Sequence, residues 1–363
     1  MDDIGGAEKT KMKTVCVTGA GGFIASWLVQ LLLSRGDYVV HGTVRDPSDP
    51  KNAHLMALDG AGERLRLFKA DMLDYAAVAA TVAGCCDGVF HVASPVPAVT
   101  PTDPDAEILA PAVTGTQNVL KASHAAAARR VVVLSSVGAV IMNPDIPDGA
   151  VADEDCWSDE DHCRTTKVRC TAACMHPSIA CIKVAASFST YMFSSDTIIL
   201  ALSLEQRAAL AYGEEAGTGP PAMDVVTVCP PLVLGPLLQP TVNTTTTRFV
   251  AYLTGENTEE KKRNTVDVRD VAAALVLALE TPEAAGRRFI CSAHYMRVSE
   301  TVALVHSIHP DLKLLDYPRK FVRVEDEKEV SSKRLQALGW KFRTAAETLR
   351  DTIDSYKAAG ILK

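Results

Sequence analysis

Two hydrophobic rhythms alternate along the chain. Short β-branched runs at 14–18, 38–44, 65–70, 88–92, 130–135 and 224–228 read as strands. Between them, apolar residues recur at helical spacing over 24–34, 75–83 and 108–126. This order predicts an α/β fold: a doubly wound parallel sheet with helices on both faces, followed by a smaller C-terminal lobe. Beyond Pro240 the pattern loosens, with helices expected at 268–279 and near 299–307, and the Thr244–Thr247 run reads as loop. The larger domain is therefore placed at 13–240. The lobe is placed at 241–363, with 264–292 returning to the core of the first domain.

The first strand breaks at Thr18 into Gly19-Ala20-Gly21-Gly22, and Phe23 and Ile24 open a helix carrying Trp27, Leu28, Leu31 and Leu32. Strand, glycine turn and helix in that order bring backbone N–H groups and a helix N-terminus against a pyrophosphate. Gly19 lets the chain turn sharply, Gly22 removes a Cβ where phosphates approach, and Ala25 lets the helix pack close to the strand. The turn predicts a site for NAD or NADP. Where the second strand ends, a carboxylate would bond the adenosine 2′-hydroxyl, whereas a cation would accommodate a 2′-phosphate. Arg45 stands there and Lys51 follows in a proline-containing loop, so the expectation is NADP; the alternative is a pair of solvated loop charges. Asp71, with Met72 beside it, ends the third strand as a partner for the adenine amine or as a helix cap.

Composition narrows the classes. Of 363 residues, 47% are hydrophobic and 22% charged, enough for one large domain with a lobe. The net charge of −7 gives no reason to expect nucleic acid or an anionic membrane as a partner. Residues 1–13 are polar and of mixed charge, unlike a signal peptide. Cys16, Cys229 and Cys291, three of ten cysteines, fall inside or beside expected strands, which suits reduced thiols and a cytoplasmic location. The apolar window 188–204 holds Asp196 and several serines and is too short and polar for a membrane span.

Several motifs then point one way: Thr18–Ala25, Val44-Arg45-Asp46-Pro47, Asp71–Asp74, Val89–Pro95, Gly115–Leu120, Leu134-Ser135-Ser136, Cys156-Trp157-Ser158-Asp159 and Pro230–Pro240. Over 13–167 and 207–350 the chain resembles the extended short-chain dehydrogenase/reductases, and among them the plant cinnamoyl-CoA reductase and dihydroflavonol reductase branch. The resemblance implies NADP(H) as cofactor and a small-molecule substrate, hydroxycinnamoyl-CoA or an aromatic aldehyde, in a monomer or homodimer. Members reduce a hydroxycinnamoyl thioester to an aldehyde, feeding lignin and defence phenolics, or reduce dihydroflavonols and other aldehydes and ketones. It further implies that Val92, Ala93, Ser94, Pro230 and Val233 line the cofactor. Ser136 would hydrogen-bond the substrate carbonyl while a Tyr-x-x-x-Lys pair polarises and protonates it. Gln239, Asn243 and Arg248 fall where substrate is expected. Arg248 replaces a histidine common in relatives, to pair with a coenzyme A phosphate or to stand solvated.

The Tyr-x-x-x-Lys pair is missing. No tyrosine in the chain has lysine four residues on; Tyr191, Tyr212 and Tyr252 are followed there by Ser195, Ala216 and Glu256. The pair belongs between Lys167 and Arg207, where 168–206 has a different character. Three readings stay open. The segment is translated non-coding sequence, since Val168 requires a codon beginning GT and Gln206 is compatible with CAG, with some coding sequence also lost. Alternatively the chain is a catalytically silent NADP-binding protein, or a true insertion brings Tyr191 and Lys183 into the vacant place. Cys163, Cys170, Cys174, Cys181, His162 and His176 lack the paired spacing of structural zinc sites, so no metal is expected. The segment is also expected to leave the groove beside the nicotinamide partly uncovered and to reduce stability, with Ser203–Tyr212 supplying only the later turns of a covering helix.

Overall fold

A computed structural model describes residues 12–94, 102–103, 105–164, 184–216, 222–312 and 320–362, with the side chains of all these but 105 and 184–198. Ten strands organise it: β1 (Lys13–Val17), β2 (Tyr38–Val44), β3 (Leu65–Lys69), β4 (Gly88–His91), β5 (Arg130–Leu134), β6 (Asp224–Cys229), β7 (Leu232–Leu234), β8 (Lys262–Asp267), β9 (Arg288–Ile290) and β10 (His294–Arg297). The main helices are α1 (Phe23–Arg35), α2 (Tyr75–Val82), α3 (Ala110–Ala125), α4 (Val184–Ala216), α5 (Thr244–Thr254), α6 (Val268–Glu280), α7 (Val298–Ile308) and α8 (Ala345–Ala358).

Seven strands form one sheet in the order β3-β2-β1-β4-β5-β6-β9, and every neighbouring pair is parallel. Their side chains alternate between two apolar layers, as a period of two requires. Val15, Val17, Val132, Leu134, Val226 and Val228 face α1 and α6, meeting Leu28, Leu32, Val271 and Leu275. Cys16, Val89, Val131, Val133 and Val225 face the opposite layer, with Val78, Val119, Leu120 and Ala209 from α2, α3 and α4. This is the doubly wound arrangement, and strand order reverses between β1 and β4, where a ligand crevice forms.

The lobe builds on a three-stranded sheet in which β8 runs parallel to β7 and antiparallel to β10. Its core joins Phe249 and Leu253 of α5, Val302 and Val305 of α7, and Leu349, Ile353 and Tyr356 of α8. Polar bonds fix it to the larger layer: the Leu237 N–H donates to Ser355 Oγ at 2.9 Å, and the Trp27 indole donates to the Pro236 carbonyl at 2.8 Å.

Two expectations are corrected here. Thr244–Thr247 is the first turn of α5, not loop. Asn243 caps it by accepting the Thr246 N–H at 2.8 Å, and burial of Phe249, Tyr252 and Leu253 on one face outweighs the poor helix propensity of threonine. Nor does the covering helix begin at Ser203, and at the turn before it the groove is covered. Helix α4 runs back to Val184, and Leu200 and Ala201 pack against Ile108, Leu109, Ala112 and Cys163. Lys183, Cys170, Cys174, Cys181 and His176 lie outside the described residues, as does the Tyr191 side chain.

Helix α6 is pinned by one buried cation. The Arg130 side chain is 2% exposed; it grips Asp224 through Nε at 2.6 Å and Nη2 at 3.1 Å, and Nη1 donates to the Ala278 and Thr281 carbonyls at 2.7 and 2.6 Å. The guanidinium thus satisfies carbonyls that the end of a helix leaves free. Arg130→Met should lower stability by roughly 2–4 kcal/mol, measured by urea unfolding, because it strands both the carboxylate and the carbonyls.

Candidate active site

A cleft of about 750 Å³ opens at the β1/β4 reversal. Gly19, Gly21, Gly22 and Phe23 form one end of its wall, with Arg45, Lys51 and Asn52 on the loop after β2 and Asp71 and Met72 after β3. Val92, Ala93 and Ser94 follow β4, Thr116 and Gly115 come from α3, and Gln239 and Asn243 from the segment between β7 and α5.

Glycine chemistry shapes the phosphate end. Gly19 has φ +66°, and a Cβ there would lie 3.1 Å from the Ala93 Cβ. At Gly21 a Cβ would meet Asn52 Oδ1 at 2.3 Å. Helix α1 starts at Phe23 with no side chain capping it and no acid in its first turn. Its first N–H groups and the positive end of its dipole are therefore left for an anion, which is the fit a dinucleotide pyrophosphate requires.

Thr18 does not line the cleft; it holds the cleft's floor. Its Oγ1 accepts the Val92 and Ala93 N–H groups, each at 3.0 Å, and its hydrogen is then free for His91 Nδ1 at 3.0 Å. His91 Nε2 must accordingly carry the ring hydrogen, which it shares with Thr116 Oγ1 at 3.0 Å. Complete burial pushes the His91 pKa down to about 4, so the ring stays neutral. Behind it sits Glu205 of α4, 2% exposed, with Oε1 3.5 Å from His91 Nε2. Its carboxyl oxygens make no short hydrogen bond. Burial raises its pKa to about 8, opposed only in part by nearby Thr116 and Ser94.

Some expected residues lie off the cleft wall, and others on it are already engaged. Ile24 and Val233 pack into the apolar core, and Pro230 is buried with its carbonyl accepting the Val137 N–H at 3.0 Å. Arg248 lies off the cleft wall, close to Arg263, Tyr252, Glu259 and Glu327; burial pushes its pKa down, and the neighbouring Arg263 adds to the effect. Asp71 accepts the Leu73 N–H at 2.9 Å on the cleft wall, while the helix cap is Asp74. Lys51 is paired with Asp49 at 2.7 Å.

Ser136 Oγ accepts the Gly138 N–H at 3.0 Å, which leaves its hydrogen free to donate. A Cβ on Gly138 would lie 3.0 Å from Ile199 and 3.5 Å from Ser136 Oγ, so an aliphatic side chain of α4 and this serine flank the same glycine. One turn back from Glu205, Ala201 is also buried. Neither can give a proton. The second half of α4 is nonetheless firmly seated. Gln206 donates to Thr227 Oγ1 at 2.6 Å and accepts from Arg288 at 3.1 Å, and Arg288 stacks 3.5 Å from the Trp157 ring centroid.

Sequence reasoning missed Asn52, Thr116, His91 and Glu205. The stripe of Pro111, Ala112, Gly115 and Thr116 does repeat at helical spacing, which could have marked the face of α3 that meets the cleft.

The profile of the NAD dependent epimerase/dehydratase family matches residues 15–170. Cinnamoyl-CoA reductase 1 of Petunia hybrida is 40% identical over 356 residues, covering 96% of this chain and 94% of that protein. The chain belongs to the cinnamoyl-CoA reductase branch of this family. Zea mays dihydroflavonol 4-reductase is a further relative, 34% identical over 358 residues, or 96% of the chain and 89% of that enzyme. Among solved structures, vestitone reductase from alfalfa superposes with a TM-score of 0.75 at 28% identity, covering 96% of this chain and 99% of its own. A yeast methylglyoxal/isovaleraldehyde reductase complexed with NADPH gives 0.72 at 25% identity, covering 96% and 99%. Like these reductases, the chain is an NADP(H)-binding oxidoreductase by family. Among the described residues no helix is long and apolar enough to cross a membrane, and no group of side chains could hold a metal.

Glu205 supplies a test of the floor. In the unfolded chain it ionises near the ordinary glutamate value, but in the fold it holds its proton to about pH 8. Its burial therefore costs least below the unfolded pKa, and stability is lost as pH rises through the folded one. Glu205→Gln, which is neutral throughout, should melt higher than wild type at pH 8 and lose that advantage at pH 5, as read by thermal unfolding in both buffers.

Proposed function

We propose that this chain is an NADPH-dependent reductase of phenylpropanoid carbonyls, with hydroxycinnamoyl-CoA as the substrate and the aldehyde as the product. The cytoplasm and the supply of lignin or defence phenolics are its proposed setting. The observation that carries the reading is the cleft at the strand reversal, whose wall joins the glycine turn before an uncapped helix N-terminus to Gln239 and Asn243. Full-length similarity to cinnamoyl-CoA reductases supports the substrate class.

In this reading Gly21, Gly22 and the first N–H groups of α1 hold the pyrophosphate, and Arg45 and Lys51 take the 2′-phosphate. When bound, the reduced nicotinamide supplies the hydride. Ser136 donates its free hydroxyl hydrogen to the substrate carbonyl oxygen and so favours the charge that develops there. Gln239 is buried with an unpartnered Oε1 and faces the cleft, ready to accept from a substrate hydroxyl or amide. The weak point is the proton. The chain has no Tyr-x-x-x-Lys, and the α4 side chain that flanks Gly138 together with Ser136 is Ile199, which carries no proton to give.

That gap favours a second reading, a silent NADP-binding protein with a regulatory or scaffold role. Titration of intrinsic fluorescence with NADPH, followed by NADPH oxidation in the presence of feruloyl-CoA or coniferaldehyde, separates the two. Binding is expected in both. As a reductase the chain should turn over about 10²–10⁴-fold more slowly than a relative with the dyad, the usual loss on removing a general acid. Binding without any turnover would establish the silent reading, and a rate equal to such a relative would show that another group supplies the proton.

A further inference from the structure

We propose that His54 is a positioning residue for the adenosine 2′-phosphate: it braces the Arg45–Lys51 turn against the glycine turn and thereby sets the preference for NADPH over NADH. The proposal rests on Arg45 and Lys51 as the phosphate-binding pair.

Residues 46–52 would be a costly segment to order around a ligand if they were free, because each residue fixed loses backbone entropy. They are already folded. Ser48 N–H and Oγ donate to Asp46 Oδ1 at 3.0 and 2.7 Å, Lys51 N–H donates to Asp49 Oδ1 at 3.0 Å, and Asn52 N–H reaches the Asp49 carbonyl at 2.9 Å. These bonds give the turn its shape but do not place it on the molecule. Two side chains do that. Asn52, 3% exposed, donates to the Asp46 carbonyl at 2.8 Å while its Oδ1 lies in the space that a Gly21 side chain would need.

His54 makes the other link and is the more specific. Its Nδ1 is 2.8 Å from the carbonyl oxygen of Lys51, so that nitrogen carries hydrogen and donates. Its Nε2 is 2.8 Å from Ser26 Oγ in the first turns of α1. Ser26 is fully buried, and its single hydrogen is shared between His54 Nε2 and the Ala20 carbonyl of the glycine turn, 3.1 Å away. Half-burial holds the ring's pKa below its usual value, consistent with a neutral ring that donates at Nδ1 and accepts at Nε2. The imidazole is thus a strut between the main chain of Lys51 and the helix whose N-terminus faces the pyrophosphate. It fixes the distance between the two places where a dinucleotide would be charged. Lys51 meanwhile spends its ammonium on Asp49, so a 2′-phosphate must draw it across. A fixed main chain at Lys51 lets that exchange happen by side-chain rotation alone, and such preorganisation appears directly as affinity.

The consequence is selective. NADH has no 2′-phosphate and does not use Lys51, so the strut matters to NADPH only. Calorimetric titration of wild type, His54→Ala, Lys51→Ala and the double variant with NADPH and with NADH tests this. His54→Ala should raise the NADPH dissociation constant about tenfold and move that for NADH by less than about twofold, the scale of one charge-assisted contact. In the Lys51→Ala background, His54→Ala should cost NADPH nothing further, since contacts that act as one unit are not additive. His54→Gln, which keeps a donor and an acceptor, should recover part of the loss. Parallel weakening of NADPH and NADH would overturn the proposal in favour of a general structural role, and an unchanged NADPH preference in His54→Ala would overturn it outright. A wild-type protein with no preference for NADPH would instead remove the phosphate-binding pair itself, and the proposal with it.

Discussion

One hydroxyl group holds the site together. At the point where strand order reverses, β1 and β4 lie side by side and their chains then part, one into the glycine turn and the other into 92–94. Thr18 Oγ1 bridges the parting by accepting two N–H groups from the far side and donating to His91. The floor of the cleft is therefore main chain held by side chain, and its shape follows from a hydrogen bond count. Thr18 has one hydrogen and two lone pairs, and all three are used. Buried main-chain groups that the sheet ladder no longer serves must be satisfied in some such way.

From Thr18 the same chain of bonds continues through His91 and Thr116 to the neighbourhood of Glu205, which links the cofactor floor to α4. That helix has two different halves. From Ser203 onward it is seated by Gln206, Arg288 and Trp157 and by Ala209 in the core. One turn earlier it presents Ile199, Leu200 and Ala201, which fill space well and carry no proton-donating group. The helix still covers the sheet, so the fold and the cofactor cleft persist in a chain without the Tyr-x-x-x-Lys motif.

The sequence by itself determined the sheet, the glycine turn and the cofactor class. Alternation of period two and helical spacing are local properties, and Gly19 at φ +66° is a demand of the turn that few residues other than glycine meet. The absence of Tyr-x-x-x-Lys is likewise a fact of sequence alone. Only the tertiary structure decided that Thr244–Thr247 is helical, because the apolar face of α5 gains its stability from α7 and α8, more than 40 residues further along. The same holds for Glu205 and His54. A glutamate in a helix reads as a surface charge until the strand and helix that bury it are in place, and a histidine just after a charged turn reads as solvated until Ser26 and Lys51 are brought to its two nitrogens. Burial and hydrogen-bond partners depend on residues far apart in the chain, and no local pattern encodes them.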